Sequence, residues 1–150
     1  GPLVTPPFVV KGQRVAPTIC YEDLYGEEIA ARFVNPAQSP TILANVSNLG
    51  WFGEDVAIFQ HRQIARMRSL EFQIPTIRAT NTGATMIVDH DGAVVQALKT
   101  NTQSVLTGQV QGYEGVTPYA WWAGRWGLMP LLAFGLLVSI PFNRIRLLRR

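Results

Sequence analysis

A run of 17 residues without a charged side chain, from Trp126 to Phe142, constrains the fold of this chain more than any other feature. At about 1.5 Å per residue, a helix over this run would be roughly 26 Å long, near the lower limit for crossing a bilayer. Aromatic side chains precede the run and arginines follow it, which is the order expected for an interface and a cytoplasmic end. The run therefore predicts a transmembrane helix over 126–142 with a cytoplasmic C-terminus. The aromatic residues are Tyr119, Trp121 and Trp122 before the run and Trp126 at its first position. The arginines after the run are Arg144, Arg146, Arg149 and Arg150.

This prediction divides the chain into four segments. Residues 1–115 form a globular part, 116–125 an aromatic linker at the membrane interface, 126–142 the span, and 143–150 a basic tail. The alternative is a buried core helix, because Pro130 and Pro141 would disturb a span. Charge follows the same division, since residues 1–124 carry 8 Lys or Arg and 10 Asp or Glu, whereas the remaining residues carry 5 Arg and no acid. The basicity belongs to the tail, which argues against a nucleic-acid-binding surface.

The globular part alternates between strand and helix patterns. These patterns predict a mixed α/β sheet in layers. The longer predicted helix is apolar on two opposite faces, so we expect it to pack between two layers. The chain opens on the extended apolar sequence GPLVTPPFVV, with no element to cover the outer edge of the first strand, and so resembles the second half of a larger domain. The predicted strands span 14–20, 41–46, 76–80, 84–88, 93–98 and 104–110, the helices span 22–33 and 55–74, and Asp89-His90-Asp91-Gly92 is a hairpin turn.

Cys20 is the sharpest candidate for chemistry. It lies where the first strand meets the first helix, so helix amides would face its sulfur and favour the reactive thiolate. A lone cysteine in an apolar strand is also commonly a small packed hydrophobe, and position alone leaves both interpretations open. Glu22 lies two residues further on, either in the same pocket or merely near the positive end of the helix dipole.

The remaining candidates are weaker. His61 could serve Cys20 as a base, but arginines flank it, and a solvated or carboxylate-paired histidine is the simpler interpretation. His90 lies in a tight turn, and two histidines without a third clustered ligand predict no metal site. Trp51 and Phe52 lie between glycines in ANVSNLGWFG, where they line a pocket, touch lipid or staple the next helix.

Five blocks occur in a specific order: TICYED, ANVSNLGWFGE, FQHRQIARMRSLEFQIPTIRATNTGAT, VDHDG and TPYAWWAGRWG. From about Val15 to the C-terminus, they resemble the apolipoprotein N-acyltransferases, integral membrane enzymes of the nitrilase (carbon–nitrogen hydrolase) superfamily. The resemblance implies an α/β fold, a nitrilase-like αββα sandwich, of which this chain holds the C-terminal part. It places the sandwich on the periplasmic side of a bacterial inner membrane. It also implies several spans in the whole protein, of which only the last lies in this chain.

The resemblance further implies a Glu-Lys-Cys triad and no cofactor. Cys20 matches the nucleophile, Tyr21 and Glu22 match its Cys-Tyr-Glu setting, and Trp51 and Phe52 are expected to contact substrate. The implied reaction forms a thioester with an acyl chain from a phospholipid. The amino group of the lipid-modified N-terminal cysteine of an apolipoprotein then takes that chain.

The family's Glu and Lys lie well upstream of the nucleophile, and only 19 residues precede Cys20 here. Lys11 is the sole lysine among them and is not assigned to the triad. We therefore expect the chain to be inactive without the missing N-terminal half of the enzyme. Where the family commonly reads Asn-Asp-Ala-Trp-Phe-Gly, this chain has Asn48, Leu49 and Gly50 before the two aromatic residues.

Two other functions remain open. One is a soluble nitrilase-like amidase, against which the predicted span argues. The other is a non-catalytic, membrane-anchored binding domain in which Cys20 is only packed. In that domain, the thiol should react with alkylating reagents no faster than in the denatured chain.

Overall fold

The computed structural model describes residues 4–53 and 56–147, with the backbone alone at Phe52 and at 140–147. Asp55, where the longer helix was predicted to begin, lies outside the described residues. So do Arg149 and Arg150 of the predicted basic tail and the first three residues of the apolar opening.

A six-stranded mixed sheet organises the chain, with its strands in the order β1-β2-β3-β4-β5-β6. The three central strands β2, β3 and β4 run parallel, and the outer pairs are antiparallel. This confirms the prediction of a mixed α/β sheet. The strands are β1 Phe8–Val10, β2 Gln13–Ile19, β3 Ile42–Ser47, β4 Thr76–Thr80, β5 Met86–Val88 and β6 Val94–Ala97.

Four α-helices and several short 3₁₀ turns complete the part of the chain that the structure describes. The helix α2 ends three residues before the helix-breaking Pro75, as expected from the sequence. The helices are α1 Gly26–Ala30, α2 Val56–Phe72, α3 Pro118–Trp126 and α4 Met129–Leu147, and the 3₁₀ turns are Cys20–Leu24, Ala31–Phe33, Pro36–Gln38 and Gly50–Phe52.

The two faces of the central strands differ in burial. One face packs against α1, α2 and α3, and includes Ala16 and Leu43, which are at most 2% exposed. The opposite face leaves Ile19 63%, Val46 54% and Ile77 38% exposed. The described residues thus form one sheet with helices on one side, which corresponds to one half of a sandwich.

The predicted two-sided packing of α2 is only half observed. Its Ile58, Ala65 and Phe72 face is buried against the sheet. On the opposite face, Phe59 is 60% and Met67 47% exposed. Periodicity detected both apolar faces, but the layer that would cover the second one is not among the described residues.

Three further predictions need correction. The helix predicted over 22–33 is interrupted, because Tyr25 has a non-helical backbone between the 3₁₀ turn and α1. The apolar opening does supply an edge strand, since β1 pairs with β2 through a hairpin at Lys11-Gly12. Residues 104–110 form no strand. The segment that follows β6 crosses to the start of β3, where Tyr113 donates its N–H to the Thr41 carbonyl, so it does not run alongside a strand.

The C-terminal apolar run is bent rather than continuous. Trp126 ends α3, the backbone turns at Gly127 with φ 54°, and α4 begins at Met129. The single helix predicted from Trp126 is therefore wrong at its start. Among the described residues, no one helix has both the length and the apolarity of a membrane span. The pair Pro118–Trp126 and Met129–Ser139 reaches them jointly, with an 83° bend.

Most of the segment predicted as an interfacial linker is helix α3, which is partly built into the core. Ala120 and Ala123 are buried against the sheet cluster, whereas Trp121 is 47% exposed. Gly124 allows α3 to approach the end of α1, because a Cβ there would lie 2.3 Å from the Ala30 carbonyl oxygen. The base of the apolar C-terminal helix is thereby fixed to the globular part.

Candidate active site

Cys20 occupies a strained turn at the carboxyl end of β2. Its φ of 52° lies in the left-handed region, which residues other than glycine rarely adopt. The side chain is half-buried rather than enclosed, which disfavours a purely packed cysteine. The helical support predicted for its sulfur is only the five-residue 3₁₀ turn Cys20–Leu24.

Glu22 and Tyr21 act on the same turn in different ways. The Glu22 carboxylate accepts a hydrogen bond from the Ile19 backbone N–H at 2.7 Å, so it ties the turn to the end of β2. The Tyr21 ring lies over His61, with 5.5 Å between ring centroids. Lys11 lies beyond the opposite end of β2 from Cys20, and the seven-residue strand between them is roughly 23 Å long. Its omission from the triad is consistent with that distance.

A row of buried polar side chains lies behind the Cys20 turn. Thr18, Asn45 and Arg78 are direct neighbours across β2, β3 and β4. They are 2%, 2% and 1% exposed. Because they share the helix-covered face of the sheet, their polar groups need partners from one another and from the covering elements.

Arg78 is the hub of this row. Its guanidinium forms an ion pair with Asp23 in the 3₁₀ turn, and Nη2 donates to Ser47 Oγ at 3.2 Å. Nη2 also lies 2.9 Å from His61 Nδ1. Since a guanidinium only donates, Nδ1 is the acceptor and His61 is the neutral tautomer with its proton on Nε2. His61 is therefore buried rather than solvated, and the predicted carboxylate neighbour is present as Asp23, although the hydrogen bond to Nδ1 comes from Arg78.

Burial sets the protonation of the groups around Arg78. It lowers the pKa of His61 below its ordinary 6.5, and the Arg78 charge lowers it further, whereas Asp23 offsets part of the shift. Burial raises the pKa of the Asp23 carboxyl, and Arg78 offsets part of that rise. Asp23 Oδ1 lies 4.0 Å from His61 Nδ1. The Arg78 guanidinium lies beside both groups, and its charge therefore acts on the pKa of each.

This arrangement predicts a pH-dependent stability. Below about pH 6.5 the unfolded chain protonates His61 whereas the folded chain resists it, so the free energy of unfolding should fall as pH falls. The slope from this group is at most about 1.4 kcal/mol per pH unit. Asn at position 61 keeps an acceptor near Arg78 but does not titrate, so His61→Asn should lose less stability between about pH 7.5 and about pH 5.5. Urea unfolding of the wild type and of His61→Asn across this pH range measures both slopes. Equal slopes in the two proteins would contradict the assignment.

The loop after β3 brings the aromatic pair to the same sheet edge, because β2 and β3 are parallel and both end there. Leu49 is fully buried, and its N–H donates to Asn81 Oδ1 at 3.1 Å. Asn81 Nδ2 donates in turn to Asn48 Oδ1 at 2.7 Å. The loop is thus held by a buried leucine and by the hydrogen bond between Asn81 and Asn48. Trp51 is 83% exposed on that support.

Sequence reasoning missed Asn45, Ser47, Asp23 and Arg78 as members of the site. A signal was present in the strand sequences. Asn45 and Ser47 lie on the same side of β3 as Leu43, and they alternate along the strand with apolar residues. Arg78 lies likewise between Ile77 and Ala79 in β4. Polar residues on the buried side of a strand require partners, and here the partners surround the candidate nucleophile.

Comparison with known proteins identifies the fold and the family. Residues 1–119 match the model of the carbon-nitrogen hydrolase family. The carbon-nitrogen hydrolase of Helicobacter pylori G27 aligns with a TM-score of 0.56 at 16% identity, over 69% of this chain and 42% of that one. The Caenorhabditis elegans NitFhit protein aligns with a TM-score of 0.56 at 24% identity, over 67% of this chain and 25% of that one.

Two bacterial proteins named apolipoprotein N-acyltransferase are much more similar in sequence. That of Verminephrobacter eiseniae is 59% identical over 81% of this chain and 24% of the relative. That of Ralstonia nicotianae is 53% identical over 91% of this chain and 25% of the relative. The chain therefore spans about a quarter of the length of these relatives. With its match over residues 1–119 and its six-stranded mixed sheet, the chain belongs to the carbon-nitrogen hydrolase family.

Proposed function

We propose that this chain is the C-terminal catalytic portion of an apolipoprotein N-acyltransferase. The observation that carries the proposal is the identity of 53% and 59% to two proteins of that name over most of the chain. The half-buried Cys20 on a left-handed turn supplies a suitable nucleophile. The site proposed from the sequence comprises Cys20, Tyr21 and Glu22, with Trp51 and Phe52 on the substrate side.

The proposed reaction has two transfers. First, the Cys20 thiolate attacks the ester carbonyl of a phospholipid, the ester C–O bond breaks, and the lysophospholipid leaves as an alcohol after taking a proton. Second, the N-terminal amine of a diacylglyceryl-modified cysteine attacks the thioester and releases the thiol. Both steps need a base and a group that stabilises the oxyanion. By resemblance, these are the Glu and Lys of the upstream half.

The exposed sheet face supports a role for that upstream half. Ile19, Val46 and Ile77 leave apolar surface in water on the side opposite the helices. Large exposed apolar patches commonly mark interfaces. We propose that the upstream half covers this face with its own sheet and brings its Glu and Lys to Cys20. The chain without that half is then inactive.

The experiment that tests the function is reconstitution of the full-length enzyme. The purified protein is mixed with phosphatidylethanolamine vesicles and a diacylglyceryl-cysteine peptide, and the mass of the peptide is followed. We expect the peptide to gain one acyl chain, with acylated Cys20 visible before the peptide is added. A peptide that stays unmodified while Cys20 remains unacylated would contradict the proposal.

Glu22 offers a second test of the site. Glu22→Ala leaves the Ile19 N–H without its carboxylate and loosens the turn that presents Cys20, so acyl transfer should fall by at least about tenfold. The protein should still accumulate in membranes, because Glu22 is exposed. Glu28→Ala is the matched control, since Glu28 is also exposed and also faces Arg32. Equal activity of the two variants would contradict a role of Glu22 in the site.

Trp51 supports a lipid-facing role for the loop after β3. Its ring is 83% exposed at the sheet edge where Cys20 lies, on a loop held by the buried Leu49. We propose that Trp51 and Phe52 contact the acyl chain of the donor.

The bent pair α3 and α4 supports attachment to a membrane. Apart from Ser139, the described side chains of α4 are apolar, and they are exposed, with Phe134 67% and Leu136 69% accessible. Over its 19 residues, α4 is about 28 Å long. Because neither α3 nor α4 alone has both the length and the apolarity of a span over its described residues, we propose that the bent pair together crosses a bacterial inner membrane, with residues 1–115 on the periplasmic side and residues 143–150 cytoplasmic.

Side-specific labelling tests this topology. In a Cys20→Ser background, Lys99→Cys and Arg150→Cys each introduce one thiol into this chain. A maleimide that does not cross the inner membrane should label position 99 in cells with a permeabilised outer membrane. Position 150 should react only after the inner membrane is opened. Labelling of both positions under the first condition would contradict a span between them.

A further inference from the structure

We propose that Asn45 is a positioning residue for Cys20. Its side-chain amide holds the peptide between Cys20 and Tyr21, and thereby keeps Cys20 in the left-handed conformation that presents the sulfur. The inference rests on the proposed function only in that it takes Cys20 as the nucleophile.

The contacts of Asn45 support this role. Its Nδ2 donates to the Cys20 carbonyl oxygen at 3.2 Å and to Thr18 Oγ1 at 3.0 Å, so both amide hydrogens are used. The carbonyl can only accept, and this fixes which end of the amide faces Cys20. At 2% exposure, Asn45 is shielded from water that could replace the bond.

The amide is also held from behind. Arg78 Nη2 donates to Ser47 Oγ, and Ser47 donates its own proton to Asn45 Oδ1. Donors therefore point in one direction from Arg78 to the Cys20 carbonyl. A reversed Asn45 amide would place its oxygen against the Cys20 carbonyl, so that two acceptors would face each other, and the Ser47 hydroxyl would lose the oxygen to which it donates.

The backbone of Cys20 explains why such a restraint is useful. A φ of 52° is unfavourable for a residue with a Cβ, so the turn would relax toward ordinary helical or extended values without support. Relaxation would move the sulfur relative to the acyl carbonyl. A misplacement of about 1 Å in a reacting group can cost about a hundredfold in rate.

Asn45→Asp tests the bond selectively. Aspartate keeps the shape of the side chain and can still accept from Ser47, and the Thr18 hydroxyl can turn to donate to it. The Cys20 carbonyl, however, would face a second acceptor. Asn45→Ala removes the same bond without adding charge, and serves if the aspartate variant does not fold. Two variants are controls. Thr18→Val removes the other hydrogen-bond partner of the same amide. Thr41→Val changes another buried threonine, which lies just before the far end of β3.

In the full-length enzyme, Asn45→Asp should lower the plateau of kcat against pH at least tenfold, with KM within twofold. Thr18→Val should lower kcat no more than threefold, and Thr41→Val should leave it at the wild-type value. A shift of the pH profile at an unchanged plateau would show a charge effect and overturn the proposal. So would a plateau within twofold of wild type, or an equal loss in Thr18→Val.

Hydrogen exchange of the backbone amides in 19–25 measures the same restraint on the turn and does not require acyl transfer. Exchange there should be at least fivefold faster in Asn45→Asp or Asn45→Ala than in Thr18→Val, with α2 unchanged. If the enzyme shows no acyl transfer, or Cys20→Ser is fully active, the proposed function fails. The exchange measurement then still decides whether Asn45 restrains the Cys20 turn. Equal exchange in the Asn45 and Thr18 variants would overturn it.

Discussion

Replacing Cys20 by serine should lower acyl transfer by about three orders of magnitude or more, because removal of a covalent nucleophile leaves only binding and electrostatic catalysis. A serine hydroxyl keeps the size of the side chain, but it is far less ionised than a thiol at neutral pH. The site would therefore be intact in shape and lack its nucleophile. The measurement is the initial rate of peptide acylation by the full-length protein, together with the mass of the segment that contains residue 20.

Two observations make this result specific to the chemistry. Cys20→Ser should accumulate in membranes and melt like wild type, because the side chain is half-buried and no described residue hydrogen-bonds to its sulfur to support the core. The variant should also yield no acylated form of the 15–32 tryptic peptide, in which Cys20 is the sole cysteine. Activity within tenfold of wild type would remove Cys20 as the nucleophile.

Arg78→Met should cost about 3–5 kcal/mol of the free energy of unfolding, which is the usual cost of removing one partner from a buried ion pair. The methionine fills much of the space but leaves Asp23 buried without its cation, and leaves Ser47 and His61 without their donor. Such a loss is a large fraction of the 5–15 kcal/mol that stabilises a typical domain. Chemical unfolding of the full-length protein, or its accumulation at growth temperature, measures the loss.

A matched arginine and a double variant separate this loss from a general effect of charge. Arg66→Met removes an exposed arginine from α2 and should cost less than about 1 kcal/mol. Adding Asp23→Asn to Arg78→Met should recover part of the lost stability, because the uncompensated carboxylate is then absent. A double variant less stable than Arg78→Met would contradict the ion-pair explanation.

The sequence predicted the elements whose signals are local. The central strands are short apolar runs, and helix α2 has a clear period and a proline after its end, so each was predicted to within about two residues. The strand predicted over 104–110 failed because alternation alone does not supply a neighbouring strand. The helix predicted from Trp126 failed at Gly127, where a left-handed backbone turns the chain between two helices.

The site divides in the same way. Cys20 was identified because its position between a strand and a helix is visible along the chain. The polar row behind it was not, since Thr18, Asn45 and Arg78 are separated by 27 and 33 residues and meet only through strand register. The protonation of His61 likewise depends on an arginine that the fold brings to it.

The one-way order of donors from Arg78 through Ser47 to Asn45 also limits how this protein can diverge. Each side chain in the series requires a particular hydrogen-bonding character in the next, so a single exchange leaves two mismatches in the interior at once. Stepwise replacement would pass through intermediates that selection removes. Among homologous sequences, these three positions should therefore change as a set, and their covariation should exceed that of equally buried apolar neighbours such as Leu43 and Ile74.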